Sequence, residues 1–139
     1  MTVSNNRSIP EGTFVPALSY AQPVGEVVDW LVDAFGVSER FRAGDEHAQI
    51  SLGTGGVLLS GLRENLNVGN AGYITVRVPN LLEIYNRASA FGAEITSEPT
   101  EYMYGEQQFG ARDLGGHIWY FSQTVRDVDP TAWGAVHPD

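Results

Sequence analysis

The chain has 139 residues, about one domain's length, and its 42% hydrophobic content is enough to bury a core. Eight basic residues, all Arg, stand against 17 acidic ones, and the resulting net charge of -9 argues against nucleic acid or an anionic membrane as partner. The absence of Cys excludes disulfides, thiolate metal sites and a Cys nucleophile; no apolar run reaches the ~20 residues of a spanning helix, and Met1 to Glu11 lacks an export signal, so a cytoplasmic location is expected.

In chain order, residues 1–12 form an irregular arm. Phe14 to Tyr20 alternates like a strand. Pro23 suits a helix start, and Val27, Val28, Leu31, Val32 and Phe35 recur at three-four spacing until Gly36 ends the helix. Strands are expected near Glu39–Arg42, His47–Leu52 and Val57–Ser60, followed by a Gly/Asn-rich connector from Asn65 to Gly72. The order then repeats. Tyr73–Val78 is a strand, Leu81, Leu82, Tyr85, Ala88 and Phe91 mark a helix closed by Gly92, and strands follow near Glu94–Ser97, Gln107–Asp113 and His117–Ser122. Residues 124–139 are an irregular tail anchored by Trp133.

The repetition is internal duplication. Pro23 and Ala34-Phe35-Gly36 recur 56 positions later as Pro79 and Ala90-Phe91-Gly92. Gly55 to Ser60 is echoed 60 positions later by Gly115 to Tyr120. The fold class is therefore α+β, two βαβββ modules (13–61 and 72–123) within a domain spanning 13–123.

Strand alternation sorts side chains onto two faces. Ile74, Val76 and Val78 are apolar, as are Ala48, Ile50 and Leu52, and Trp119 and Phe121; these belong under the helices. The other face carries Tyr73, Thr75 and Arg77, then His47, Gln49 and Ser51, then Ile118, Tyr120 and Ser122, with Leu58, Ser60, Val15, Ala17 and Ser19 beside them. An antiparallel sheet that simply wets one face would also look like this. Tyr73, Tyr120 and Leu58 are large apolar bodies for a wet surface, however, and a curled sheet would make them the wall of a cleft.

The stretch Glu98-Pro99, Tyr104-Gly105-Glu106 and Ala111-Arg112-Asp113-Leu114-Gly115-Gly116-His117-Ile118-Trp119, together with the duplicated modules, resembles the vicinal oxygen chelate superfamily. That group contains glyoxalase I, extradiol dioxygenases, fosfomycin-resistance enzymes and bleomycin-resistance proteins, and the likeness is to its small bacterial glyoxalase-like branch. Leu114 replaces the usual Pro, and Gly115 the usual acid. The resemblance implies paired modules curled around a cleft, helices outside, and a homodimer. It also implies a metal ligand on each of four strands. Those seats fall on Ala17 (Pro16 if slipped by one), Ser60, Tyr73 and Tyr120, which are not the imidazole and carboxylate donors a hard divalent ion needs. No metal and no cofactor are expected.

The candidate ligand-binding residues are Tyr73, Tyr120, Ser60, Arg77, Thr75, Gln49 and Tyr104; no catalytic residue is assigned. Arg77 would hold a carboxylate or accept stacking in a dry cleft, and is merely solubilising on a wet edge. Glu101 and Glu106 flank a Tyr102–Gly105 loop that either closes over a ligand or is an ordinary hairpin tip. His47 reads as a strand-end surface residue, His117 as a turn residue, His137 as incidental, and Arg112-Asp113 as a structural brace. Gly53-Thr54-Gly55-Gly56 precedes a strand, which makes it a hairpin turn rather than a phosphate loop. Two function classes follow: a metal-free protein that binds a cationic or aromatic small molecule such as an antibiotic, and a metal-independent isomerase, lyase or cyclase using Tyr, Arg or Glu. A metal-dependent lyase or dioxygenase needs ligands the four seats do not supply.

Overall fold

Alternating apolar positions build eight strands, and two apolar stripes build two helices, in the computed structural model, which describes residues 5–69, 72–136 and 138. The first four residues, residues 70 and 71 of the connector, His137 and Asp139 lie outside the described residues. The chain divides into two compact units, one ending at Val68 and the other beginning at Gly69.

The first unit runs β1 (Ala17–Ser19), α1 (Val24–Phe35), β2 (Ser38–Ala43), β3 (His47–Leu52) and β4 (Gly55–Ser60). Its sheet order is β1-β4-β3-β2, with β1 parallel to β4 and the other pairs antiparallel. The second unit runs β5 (Tyr73–Arg77), α2 (Leu81–Phe91), β6 (Glu94–Glu101), β7 (Glu106–Arg112) and β8 (Ile118–Thr124), in the matching order β5-β8-β7-β6. Ladder register carries the duplication to single residues: Ala17 lies opposite Leu58 and Tyr73 opposite Ile118, steps of 56 and 60 positions.

Each helix covers one face of its own sheet. α1 buries Val24, Val27, Val28, Leu31, Ala34 and Phe35 on that face, a three-four repeat that places them on one stripe. α2 buries Leu81, Ile84 and Ala88. Leu82 and Phe91, expected on that stripe, are exposed. Leu82 is turned about 100° away from Leu81, off the buried line, whereas Phe91 lies nearly in line with Ile84 and is exposed as the last residue of the helix, next to Gly92. Left-handed Gly36 and Gly92 end the two helices as expected, with φ of 74° and 97°. Among the apolar sheet residues, Ala48, Ile50, Val57, Leu59, Phe109, Ala111, Trp119 and Phe121 are buried.

Three segments depart from expectation. Of the Phe14–Tyr20 run only Ala17–Ser19 is strand, because β1 meets β4 over just three residue pairs, and Phe14 is exposed. β6 continues four residues past Ser97, through Pro99. It is an edge strand, where a missing N–H costs no ladder bond, and its pairing with β7 shifts register between Ser97 and Thr100. The tail contains a short 3-10 helix at Pro130–Trp133, begun by Asp129, whose side chain accepts from Thr131 N–H.

Candidate functional site

The helix-free face of the second sheet is set by β5, β8 and β7. Thr75 lies opposite Tyr120, and Tyr120 opposite Gly110. A methyl group at Gly110 would come within 2.9 Å of Tyr120 Cε1 and 2.5 Å of Thr96 Oγ1. Only a residue without Cβ lets the Tyr120 ring settle against the strand there. Tyr73 meets Tyr120 edge-on, with ring centroids 4.8 Å apart, and remains 65% exposed. Tyr102 and Tyr104 stack at 5.4 Å, and Trp133 from the tail leans on Tyr104 at 5.7 Å. Burial first, then the neighbouring Tyr102 and Tyr73 phenols and the Glu106 carboxylate, hold the Tyr104 phenol above its ordinary range.

Polar groups continue along β7 and β8. Tyr104 Oη donates to Gln108 Oε1 at 3.1 Å, Gln108 Nε2 donates to Ser122 Oγ at 3.0 Å, and Ser122 Oγ donates to Glu106 Oε1 at 2.7 Å. Ser122 is only 3% exposed. Arg77 stands opposite Ser122 on β5 and is exposed. The second unit thus gathers Tyr73, Thr75, Arg77, Tyr104 and Tyr120 of the expected residues. It adds Glu106 and Gln108, which the sequence reading left out of the site. Their signal was the alternation of Phe109 and Ala111 with Gln108 and Gly110 along β7.

The helix-free face of the first sheet holds the other two, Gln49 and Ser60. Gln49 lies opposite Leu58, and Ser60 opposite His47 and Ser19. The N-terminal arm packs on this face. Gln49 Nε2 donates to the Ser8 carbonyl at 2.8 Å, its Oε1 accepts from Arg40, and Arg40 Nη2 donates to the Arg7 carbonyl at 3.1 Å. Pro10 is buried beside Gly56, where a Cβ would lie 2.7 Å from Pro10 Cβ. Gln49 is consequently 7% exposed, with both ends of its amide engaged by the chain itself.

The remaining candidates are structural or peripheral. Asp113 braces the turn into β8: Oδ1 accepts from Gly115 and His117 N–H and Oδ2 from Trp119 Nε1, each at 2.9 Å. Arg112 bonds Glu94 at 2.8 Å and the Gly116 carbonyl at 3.1 Å. His117 belongs to that turn, and His47 is exposed at the start of β3.

The four seats of the chelate family do not fit a divalent ion. Ala17 has no donor, Ser60 offers a neutral hydroxyl, and Tyr73 and Tyr120 offer phenols rather than the imidazole and carboxylate donors a hard divalent ion takes. Among the described residues no group of three or more His, Asp or Glu is placed to hold a metal. Among the described residues no helix is long and apolar enough to cross a membrane.

No family model matches the chain, and no curated protein matches it. Among solved structures, TioX from Micromonospora sp. ML1 is similar at 31% identity and TM-score 0.69, covering 82% of this chain and 99% of that one. A glyoxalase/bleomycin resistance protein/dioxygenase from Alicyclobacillus acidocaldarius (12% identity, TM-score 0.68, 84% and 94% covered) shares the fold. So does the fosfomycin resistance protein FosX from Listeria monocytogenes (13%, 0.67, 83% and 94%). With its paired βαβββ sheets and its relation to TioX, the chain belongs to the vicinal oxygen chelate superfamily of glyoxalase, bleomycin-resistance and dioxygenase proteins.

Proposed function

We propose that this protein is a metal-free, cytoplasmic bacterial member of its family that binds a small planar molecule, of the antibiotic or natural-product kind, on the aromatic face of its second unit. The carrying observation is the edge-on Tyr73–Tyr120 pair, with Tyr120 seated against Gly110, an amphipathic aromatic surface with a half-buried Tyr104 at its border. Aromatic faces bind planar ligands by stacking, each pair contributing about 0.5–1.5 kcal/mol beyond burial. The chemistry at the four metal seats supports a site that works without an ion. A homodimer is part of the same reading.

Titration with acridine, a planar aromatic probe, should quench intrinsic fluorescence saturably. Tyr120→Ala should weaken that binding about tenfold while the melting temperature moves little. An unchanged affinity in Tyr120→Ala would overturn the assignment of this face. Elemental analysis finding about one divalent metal per chain would overturn the metal-free part, and sedimentation of a lone 15.1 kDa particle at high concentration the dimer.

The hydrogen-bonded line from the Tyr104 phenol to the Glu106 carboxylate favours a second reading, a metal-independent isomerase, lyase or cyclase. Recovery of bound natural ligand unchanged favours binding; its conversion, lost in Tyr104→Phe, favours the enzyme.

A further inference from the structure

The line Tyr104–Gln108–Ser122–Glu106 has a direction that chemistry imposes. A carboxylate carries only lone pairs, so the single proton of Ser122 Oγ points to Glu106 Oε1 at 2.7 Å. Ser122 Oγ must then accept from Gln108, which presents Nε2 at 3.0 Å. That turns Gln108 Oε1 toward Tyr104, and the phenol proton is committed to it at 3.1 Å. Ser122 is buried, so water does not compete at the middle of the line.

One N–H of Gln108 aside, every donor in this line is engaged. What it leaves for a ligand are acceptors: the second oxygen of Glu106 and the lone pairs of Tyr104. The tyrosine rings beside them offer the negative faces of their π systems. Among the described residues no ion pair joins Arg77 or any other cation to Glu106, so its charge is not neutralised from within the unit. Acceptors, π faces and one oriented carboxylate match a planar ligand bearing N–H donors and positive charge; Arg77, exposed on β5 opposite Ser122, adds a cation to the same face but makes no ion pair with Glu106.

We propose that Glu106 is the charge-reading residue of this face and that the ligand is a planar aromatic cation, with a protonated amine or amidinium group directed at the free Glu106 oxygen. This rests on the reading of the aromatic face as the ligand site. Gln108 and Ser122 are positioning residues: Ser122 fixes one carboxylate oxygen of Glu106, and Gln108 fixes Ser122.

Two probes of one shape separate charge from stacking: 9-aminoacridine, a cation at pH 7, and acridine, neutral at that pH. Full-length protein should bind the cation at least tenfold more tightly. Glu106→Gln, an isostere that keeps an oxygen for Ser122, should abolish this preference and leave acridine affinity unchanged. Glu101→Gln makes the same change in net charge on the same hairpin, away from Ser122, and should keep the preference. Equal binding of the two probes by the unmodified protein, or a preference that survives in Glu106→Gln or disappears in Glu101→Gln, would overturn the role of Glu106 and leave the stacking face standing. Binding of neither probe would overturn both.

Discussion

Asp113 shows how one side chain can hold a turn and a core together. Its carboxylate accepts two backbone N–H groups and the indole N–H of Trp119, itself fully buried. A buried donor stripped of its acceptor costs about 1–3 kcal/mol. Asp113→Ala strands the indole N–H and loosens the Gly115–His117 turn, so urea denaturation should show a loss of about 3 kcal/mol. Asp113→Asn keeps an acceptor oxygen and should lose roughly half as much. A loss below about 1 kcal/mol in Asp113→Ala would mean that the turn is held by other contacts. The same residue-level logic separates Gln49 from Gln108. Both are glutamines on helix-free faces, yet one amide is engaged by the Ser8 carbonyl and the Arg40 guanidinium and the other by a line ending in a carboxylate.

At the scale of elements, the N-terminal arm is the least periodic part of the chain and yet is firmly attached. Two carbonyls, of Arg7 and Ser8, meet Arg40 and Gln49, and Pro10 closes on Gly56. The arm therefore covers the helix-free face of the first sheet, where the sequence suggested ligand contacts. Gly56→Val places a branched side chain against the Pro10 ring and a strand carbonyl, Ile50 O, 3.0 Å from the Cβ position, and should lift the arm. Trypsin should then cleave after Arg7 several-fold faster than in the unmodified protein, with the sheet's cooperative melting retained. Equal cleavage rates would show that the arm does not depend on that contact. The two helices illustrate the complementary case: α1, whose stripe is continuous, buries six side chains, while α2 leaves Leu82 and Phe91 outside.

For the whole molecule, 17 acidic residues against eight arginines produce a field that extends beyond any one site. Such a field steers cations toward the protein and is screened over about 10 Å at 0.1 M salt. Stopped-flow association of 9-aminoacridine should slow several-fold between 10 and 150 mM NaCl, while acridine association stays constant. The two effects of charge are thus distinct. Net charge governs the approach rate and its salt dependence; Glu106 governs how much longer the cation stays. An association rate for the cation that ignores salt would remove the steering role.

Periodicity alone carried most of the architecture. Side chains on a strand alternate and those on a helix recur every three to four positions, so Ala48, Ile50, Trp119, Phe121 and, on α1, Val27, Val28, Leu31 and Phe35 could be assigned to the core without coordinates, while Ile74 and Val76, assigned there by the same alternation, are only half-buried. The recurrence of Pro23 and Gly36 at Pro79 and Gly92 extended that assignment to both units and anticipated the register of β1 and β5. Local pattern also had limits at short range: the strand expected near Glu94–Ser97 continues through Pro99 to Glu101, which is tolerated because β6 lies at a sheet edge. Long-range pairing decided the rest. Gln49 is joined to Ser8, 41 positions away, and Glu106 to Ser122, 16 away. Whether a polar side chain is available to a ligand depends on which distant group satisfies it, and chain folding chooses that group from among many of the same chemistry.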